Sequence, residues 1–140
     1  MFSISWLPLQ KHTTDLETGY YFPATTNYKN EETASLYDML DLQEKGLSMQ
    51  AFEYAYRGYR HLLDKKIISK EDYLTICDFS QSSKRKRLYL VDMVNNKVIL
   101  NTYVAHGRNS GGEYATRFSN RSKSLQSSLG FFVTQNTYYG

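Results

Sequence analysis

The sequence predicts an α+β fold, with N-terminal helices packed on a mostly antiparallel β-sheet, and three observations carry that prediction. Phe52, Ala55, Tyr56, Tyr59, Leu62 and Leu63 recur at the spacing of a helix with one apolar face. Leu88 to Val94 and Lys97 to Ala105 alternate with period two on either side of Asn95-Asn96, the pattern of a β-hairpin. Tyr73 to Phe79 and Leu129 to Thr134 add two further strand-like runs.

Composition narrows the class. A chain of 140 residues holds one domain and one core. Hydrophobic residues make up 41% and the mean hydropathy is -0.57. No run reaches the ~20 apolar residues of a membrane span, so none is predicted. The formal charge is only +3, and the one dense basic run, Lys84-Arg85-Lys86-Arg87, leads into a strand. It reads as a solvated approach to that strand rather than a nucleic-acid stripe, and no nucleic acid is expected as a partner. Thirteen tyrosines suit half-buried strand faces and polymer-binding grooves alike, because the ring packs while the hydroxyl stays wet.

Residues 1–30 read as a flexible N-terminal segment. Met1 to Leu9 (MFSISWLPL) is apolar but short, with no basic stretch ahead of it, which leaves an ordinary terminus or the tail of an export signal. Residues 10–30 are polar, with Gly19 and Pro23, and read as a linker; His12 has no neighbour at metal-ligand spacing.

Residues 31–66 form the helical region. Leu36, Met39, Leu40 and Leu42 place a helix from about Glu32 to Lys45, stopped by Gly46. Ser48 stands at the N-cap of the second helix, and His61 beside its apolar face reads as structural.

Residues 67–140 form the β-rich region. In Tyr73 to Phe79, Leu74, Ile76 and Asp78 share one side and Thr75, Cys77 and Phe79 the other. Cys77, the only cysteine, has no adjacent base or helix N-terminus to activate it and reads as a small buried hydrophobe. A two-residue hairpin turn places Met93 opposite Val98, Val91 opposite Leu100 and Tyr89 opposite Thr102. Tyr89, Val91, Met93, Val98, Leu100, Thr102 and Val104 then share one buried face. The last run, Leu129 to Thr134, is expected to leave an exposed sheet edge.

Between the last two strands lies Val104 to Gly130, VAHGRNSGGEYATRFSNRSKSLQSSLG. It is either a long connection or a binding loop held by rigid strands. Gly107, Gly111 and Gly112 permit close approach of a ligand to the backbone, Arg108 offers a planar fork for a carboxylate, and the Asn and Ser side chains offer hydrogen bonds to peptide groups. A His106–Ser110 pair has no orienting acid, so no activated nucleophile assembles from these residues. No phosphate-binding glycine pattern follows a strand and no metal-ligand cluster is present, so neither cofactor nor metal is expected.

The series ICDFSQSSKRKRLYLVDM, NTYVAHGRNSGG, ATRFSNRSKSLQSSLGFF and TYYG resembles the N-terminal part of the murein L,D-transpeptidase catalytic domain family, a divergent branch of the YkuD-like cysteine transpeptidases. GLSMQAFEYAYRGYRHLL is similar to the helix that this family carries ahead of its sheet, and the resemblance covers about Leu36 to Gly140. It implies an incomplete YkuD-like β domain and a truncated peptidoglycan-remodelling enzyme of the bacterial envelope, exported to the periplasm or cell wall. It favours an export tail at Met1 to Leu9.

In such enzymes a cysteine thiolate attacks a stem-peptide carbonyl, a histidine acts as base, and backbone N–H groups hold the oxyanion. The resemblance implies that His106, Gly107, Arg108, Asn109, Ser110, Gly111, Ser127 and Ser128 line the groove for peptidoglycan stem peptides. The family's S-x-G-C nucleophile motif is not in this sequence, and His106-Gly107 belongs to the VAHGRNSG block rather than to the H-G segment that precedes that motif. No catalytic residue is therefore assigned, and the chain as it stands is expected to be inactive. The alternative is a non-catalytic peptidoglycan-binding or envelope interaction module.

Overall fold

Ser48 opens the helix on which the sheet packs. Its hydroxyl accepts the Ala51 backbone N–H at 3.2 Å, satisfying one of the unpaired donors at the start of α2 (Met49–Asp64). The structure, a computed structural model, describes residues 2–6, 31–68 and 72–134. Ala51, Phe52, Ala55, Tyr56, Tyr59 and Leu62 of α2 are buried, the face that the helical period predicts. The preceding helix, α1 (Glu31–Met39), stops short of the expected Lys45. Asp41 takes a left-handed conformation at φ 51° and Gly46 another at 86°, so the chain turns while still burying Leu40, Leu42 and Leu47. The buried Tyr37 hydroxyl donates to the Leu47 carbonyl and ties α1 to the end of that turn.

Five strands form one sheet in the order β4-β3-β2-β1-β5: β1 Phe2–Trp6, β2 Tyr73–Asp78, β3 Leu88–Asp92, β4 Lys97–Thr102 and β5 Gly130–Val133. Of the four strand pairs among the described residues, only β1 with β2 is parallel, as an α+β fold with a mostly antiparallel sheet requires. Phe2–Trp6, expected in a flexible segment, instead form a strand inside the sheet, with Ile4 opposite Ile76 on one side and Phe131 on the other. The alternating Phe, Ile and Trp of FSISW suit that place. Residues 7–30, with His12, lie outside the described residues.

The hairpin differs from its expected register. Asp92 pairs with Lys97, so residues 93–96 make a four-residue turn in place of a two-residue one. The Asp92 carboxylate accepts the Val94 and Asn95 backbone N–H groups at 3.0 and 2.8 Å, and Asn96 sits at φ 50°. A register shift between Leu90 and Val91 then leaves Ile99 as an extra residue: Val91 faces Val98, Leu90 faces Leu100 and Leu88 faces Thr102. Tyr89 and Val91 are fully buried, with Met93 and Val98 packed beside them, as expected. Leu100 is exposed and Val104 packs on the other side of the sheet, because the bulge flips the alternation beyond it.

Strand β2 is covered on both faces. Leu74 and Ile76 join the main core beneath α2, whereas Cys77 and Phe79 join a second cluster with Ala115, Val104, Phe118 and Leu129. The long segment 104–130 is therefore a second layer over the sheet. No helix among the described residues is long and apolar enough to cross a membrane.

Gly58 marks the closest approach of α2 to the sheet, since a Cβ there would overlap the Phe131 ring. Replacement by Ala should destabilise the protein by about 1–3 kcal/mol through overpacking, although helix propensity alone favours Ala by about 1 kcal/mol. A urea midpoint that rises for Gly58→Ala would rule out this α2–β5 packing.

Candidate functional site

The approach to β3 holds a buried cation. Lys84, Arg85 and Lys86 are exposed as expected, but Arg87, assigned with them to a solvated run, has no solvent-accessible surface. Its guanidinium donates from Nε and Nη2 to the Val104 carbonyl at 3.2 and 3.0 Å and from Nη1 to the Gln81 carbonyl at 2.8 Å. Nη2 also lies 2.8 Å from His106 Nδ1, and the planar group sits 5.0 Å above the Phe79 ring. Burial pulls its pKa below the ordinary arginine value, with the nearby Cys77 and Asp78 opposing that shift; an arginine so lowered still carries its charge at neutral pH.

This contact fixes the chemistry of His106. A guanidinium has only donors, so Nδ1 must accept and the ring proton lies on Nε2, 3.3 Å from the Gly111 carbonyl. The imidazole also stands edge-on to Phe79, at 6.5 Å between centroids and 84° between planes. With its lone pair facing Arg87, His106 braces the loop and has no free nitrogen to act as a base.

The structure brings the eight expected groove residues into one knot and shows what most of them hold. Gly107 N–H donates to Ser127 Oγ at 2.9 Å, and Ser127 N–H donates to Ser110 Oγ at 2.8 Å. The Ser110 carbonyl accepts from the backbone of Thr116 and Arg117 at 2.8 and 3.0 Å. Asn109 donates through its backbone to the Leu125 carbonyl at 3.0 Å and through Nδ2 to the Ser124 carbonyl at 2.9 Å. Ser128 Oγ donates to the Ser119 carbonyl at 3.2 Å.

Ser110 is fully buried and makes no bond to His106. A Cβ on Gly107 would overlap the 125–127 backbone and one on Gly111 the Tyr114 carbonyl, so these glycines serve the loop's own packing. Gly112 faces open space, and Arg108 and Asn109 are exposed.

Glu113 fastens the loop to the β2–β3 turn. It accepts from Ser82 Oγ at 2.6 Å and pairs with Lys84 Nζ at 2.7 Å, while its carbonyl takes the Ser83 N–H at 3.0 Å. The Lys84 and Ser82 hydrogen bonds hold its carboxyl below the usual carboxylate range.

Sequence reasoning missed Arg87, and nothing in the basic run separates it from its three exposed neighbours except its place one residue before the strand. Cys77 is buried, and desolvation pushes its thiol up to about 12 against the opposing pull of Arg87. A cleft of about 770 Å³ between α1, α2 and the 93–96 turn is lined by Glu32, Tyr56, Arg60 and Lys66 and shares no residue with the loop. Among the described residues no cluster of His, Cys, Asp and Glu could hold a metal ion.

A family model described as an L,D-transpeptidase catalytic domain matches residues 43–140, which take in α2, β2 to β5 and the loop. No curated protein and no solved structure gives a significant match.

Arg87→Met should cost about 2 kcal/mol in urea unfolding, because it strands two partly buried carbonyls and the His106 nitrogen. A midpoint within error of the wild type would show that the clamp is dispensable. Cys77 adds a pH dependence. Its folded pKa lies above the ordinary 9.0, so the unfolded chain ionises first: stability is intact below pH 9.0 and falls as pH rises towards about 12. The slope is about 1.4 kcal/mol per pH unit. Cys77→Ala should remove that component; parallel stability profiles for the two proteins would contradict the burial of the thiol.

Proposed function

The chain belongs to the L,D-transpeptidase catalytic domain family, whose members act on peptidoglycan, and from that premise we propose that segment 104–130 is one wall of a groove for peptidoglycan stem peptides. His106, Gly107, Arg108, Asn109, Ser110, Gly111, Ser127 and Ser128 build that wall, with Arg108 and Asn109 on its exposed side. The observation that supports the reading is the anchoring of an irregular, polar loop to a rigid sheet by Arg87, Phe79 and a small apolar cluster. A surface fixed in this way offers a pre-formed set of polar groups at little ordering cost.

The reaction of this family reading is acyl transfer. A cysteine thiolate adds to the carbonyl between the third and fourth stem residues, and the C–N bond breaks as the terminal D-amino acid leaves with a proton. An amine of a neighbouring stem then takes the acyl group and regenerates the thiolate. Cys77 does not supply that thiolate: a buried thiol with a pKa near 12 is protonated at neutral pH. Nor does His106 supply the base, since Nδ1 is turned to Arg87. These 140 residues therefore bind stem peptide without turning it over. Murein as the target places the protein in the cell envelope, outside the cytoplasmic membrane. The same two observations favour, as a second reading, a binding module with no chemistry of its own.

The wild-type chain should sediment with purified murein sacculi and release no D-alanine from tetrapeptide muropeptides, and Cys77→Ala should behave identically. Absence from the pellet would overturn the murein reading. Release of D-alanine that disappears in Cys77→Ala would overturn the structural role of that thiol.

A further inference from the structure

The chain's net charge is concentrated in one segment. Between Val104 and Gly130 stand Arg108, Arg117, Arg121 and Lys123 against Glu113, while the thirteen remaining Lys and Arg are matched by thirteen Asp and Glu. The whole formal charge of +3 therefore lies in the loop. Glu113 is engaged by Lys84 and Ser82 on the β2–β3 turn. Arg108, Arg117 and Lys123 are exposed, and none makes an ion pair with a described residue.

The backbone brings these cations into one region although they are distant in sequence. Arg117 N–H reaches the Ser110 carbonyl at 3.0 Å, Asn109 N–H reaches the Leu125 carbonyl at 3.0 Å, and Asn109 Nδ2 reaches the Ser124 carbonyl at 2.9 Å. Three stretches of loop, each carrying an exposed cation beside one of these bonds, are thus sewn around Ser110.

We infer that this rim recognises the free carboxylates of a peptide ligand, with Arg108 and Arg117 distinguishing the acid from its amide. The inference rests on the stem-peptide reading and makes it specific. Guanidinium forks match a carboxylate with two parallel N–H donors, which a point-like ammonium cannot do. An unpaired cationic rim also raises the on-rate of an anionic ligand and makes binding salt-sensitive. A peptide suits the site better than a polyphosphate. The cations form a small cluster rather than a long stripe, and exposed Asn109 and open Gly112 offer room for peptide hydrogen bonding beside them.

The test is titration calorimetry of the full chain with a synthetic stem tetrapeptide as its C-terminal acid and as its C-terminal amide. The acid should bind more tightly, and the gap should close as salt is raised to about 0.5 M. Arg108→Gln and Arg117→Gln should each shrink the acid preference by about threefold, the scale of one exposed ion pair, with unchanged urea midpoints. Equal binding of acid and amide overturns the rim while leaving the stem-peptide reading intact; binding of neither overturns both. An acid preference that survives the double variant, or tighter binding of inorganic polyphosphate, also overturns the assignment.

Discussion

Arg87 is the contact on which the arrangement of the loop depends. Placing a guanidinium where no water reaches it is costly unless its N–H groups are met, and here two carbonyls, an imidazole nitrogen and a ring face meet them. The partners come from two parts of the fold, the β2–β3 connection and the stretch that follows β4. Gln81 lies in the β2–β3 turn, Val104 just beyond the end of β4, His106 at the start of the loop, and Phe79 just after β2. The turn is itself held by Asp78, whose buried carboxylate accepts from Ser80 N–H, Ser80 Oγ and Gln81 Nε2. The exit direction of the chain from the hairpin is thus held by hydrogen bonds together with the packing of Val104 in the cluster of Cys77 and Phe79.

That exit direction explains the composition of segment 104–130. The loop covers the face of the sheet opposite α2, yet it contributes only Val104, Ala115, Phe118 and Leu129 to an apolar cluster with Cys77 and Phe79. A layer with so little regular secondary structure must satisfy its backbone by other means. Serine and asparagine side chains do this, through Ser110, Ser127, Ser128 and Asn109, and glycines at 107 and 111 let the strands of the loop approach closely enough. A hydroxyl-rich sequence that looks like a ligand site is first the loop's own scaffolding.

Local features were legible in the sequence, and long-range ones were not. Ser48 and the apolar face of α2 follow from capping and period alone, because both are decided within a few residues. The family resemblance, carried by motifs from either end of the loop, covers nearly the span that the family model matches. The bulge at Ile99 has no signal of its own: a run of alternating apolar residues accepts two registers, and the Asp92 turn selects between them. The strand at Phe2–Trp6 was obscured because its apolar residues suit an export tail as well as a sheet interior. Arg87 was hidden because burial of a charge depends on partners up to nineteen residues away.

The position also requires arginine in particular. The guanidinium must reach the Gln81 carbonyl on one side and the Val104 carbonyl and His106 Nδ1 on the other while its centre stands over the Phe79 ring. A lysine ammonium has three donors radiating from one atom and no planar face, so it could meet one or two of these partners but not the set. The same geometry that makes His106 unsuitable as a base ties the start of the loop to the β2–β3 turn. The one histidine of the loop and the one thiol beneath it are both committed to structure: His106 braces the loop against Arg87 and Phe79, and Cys77 fills the apolar cluster under it.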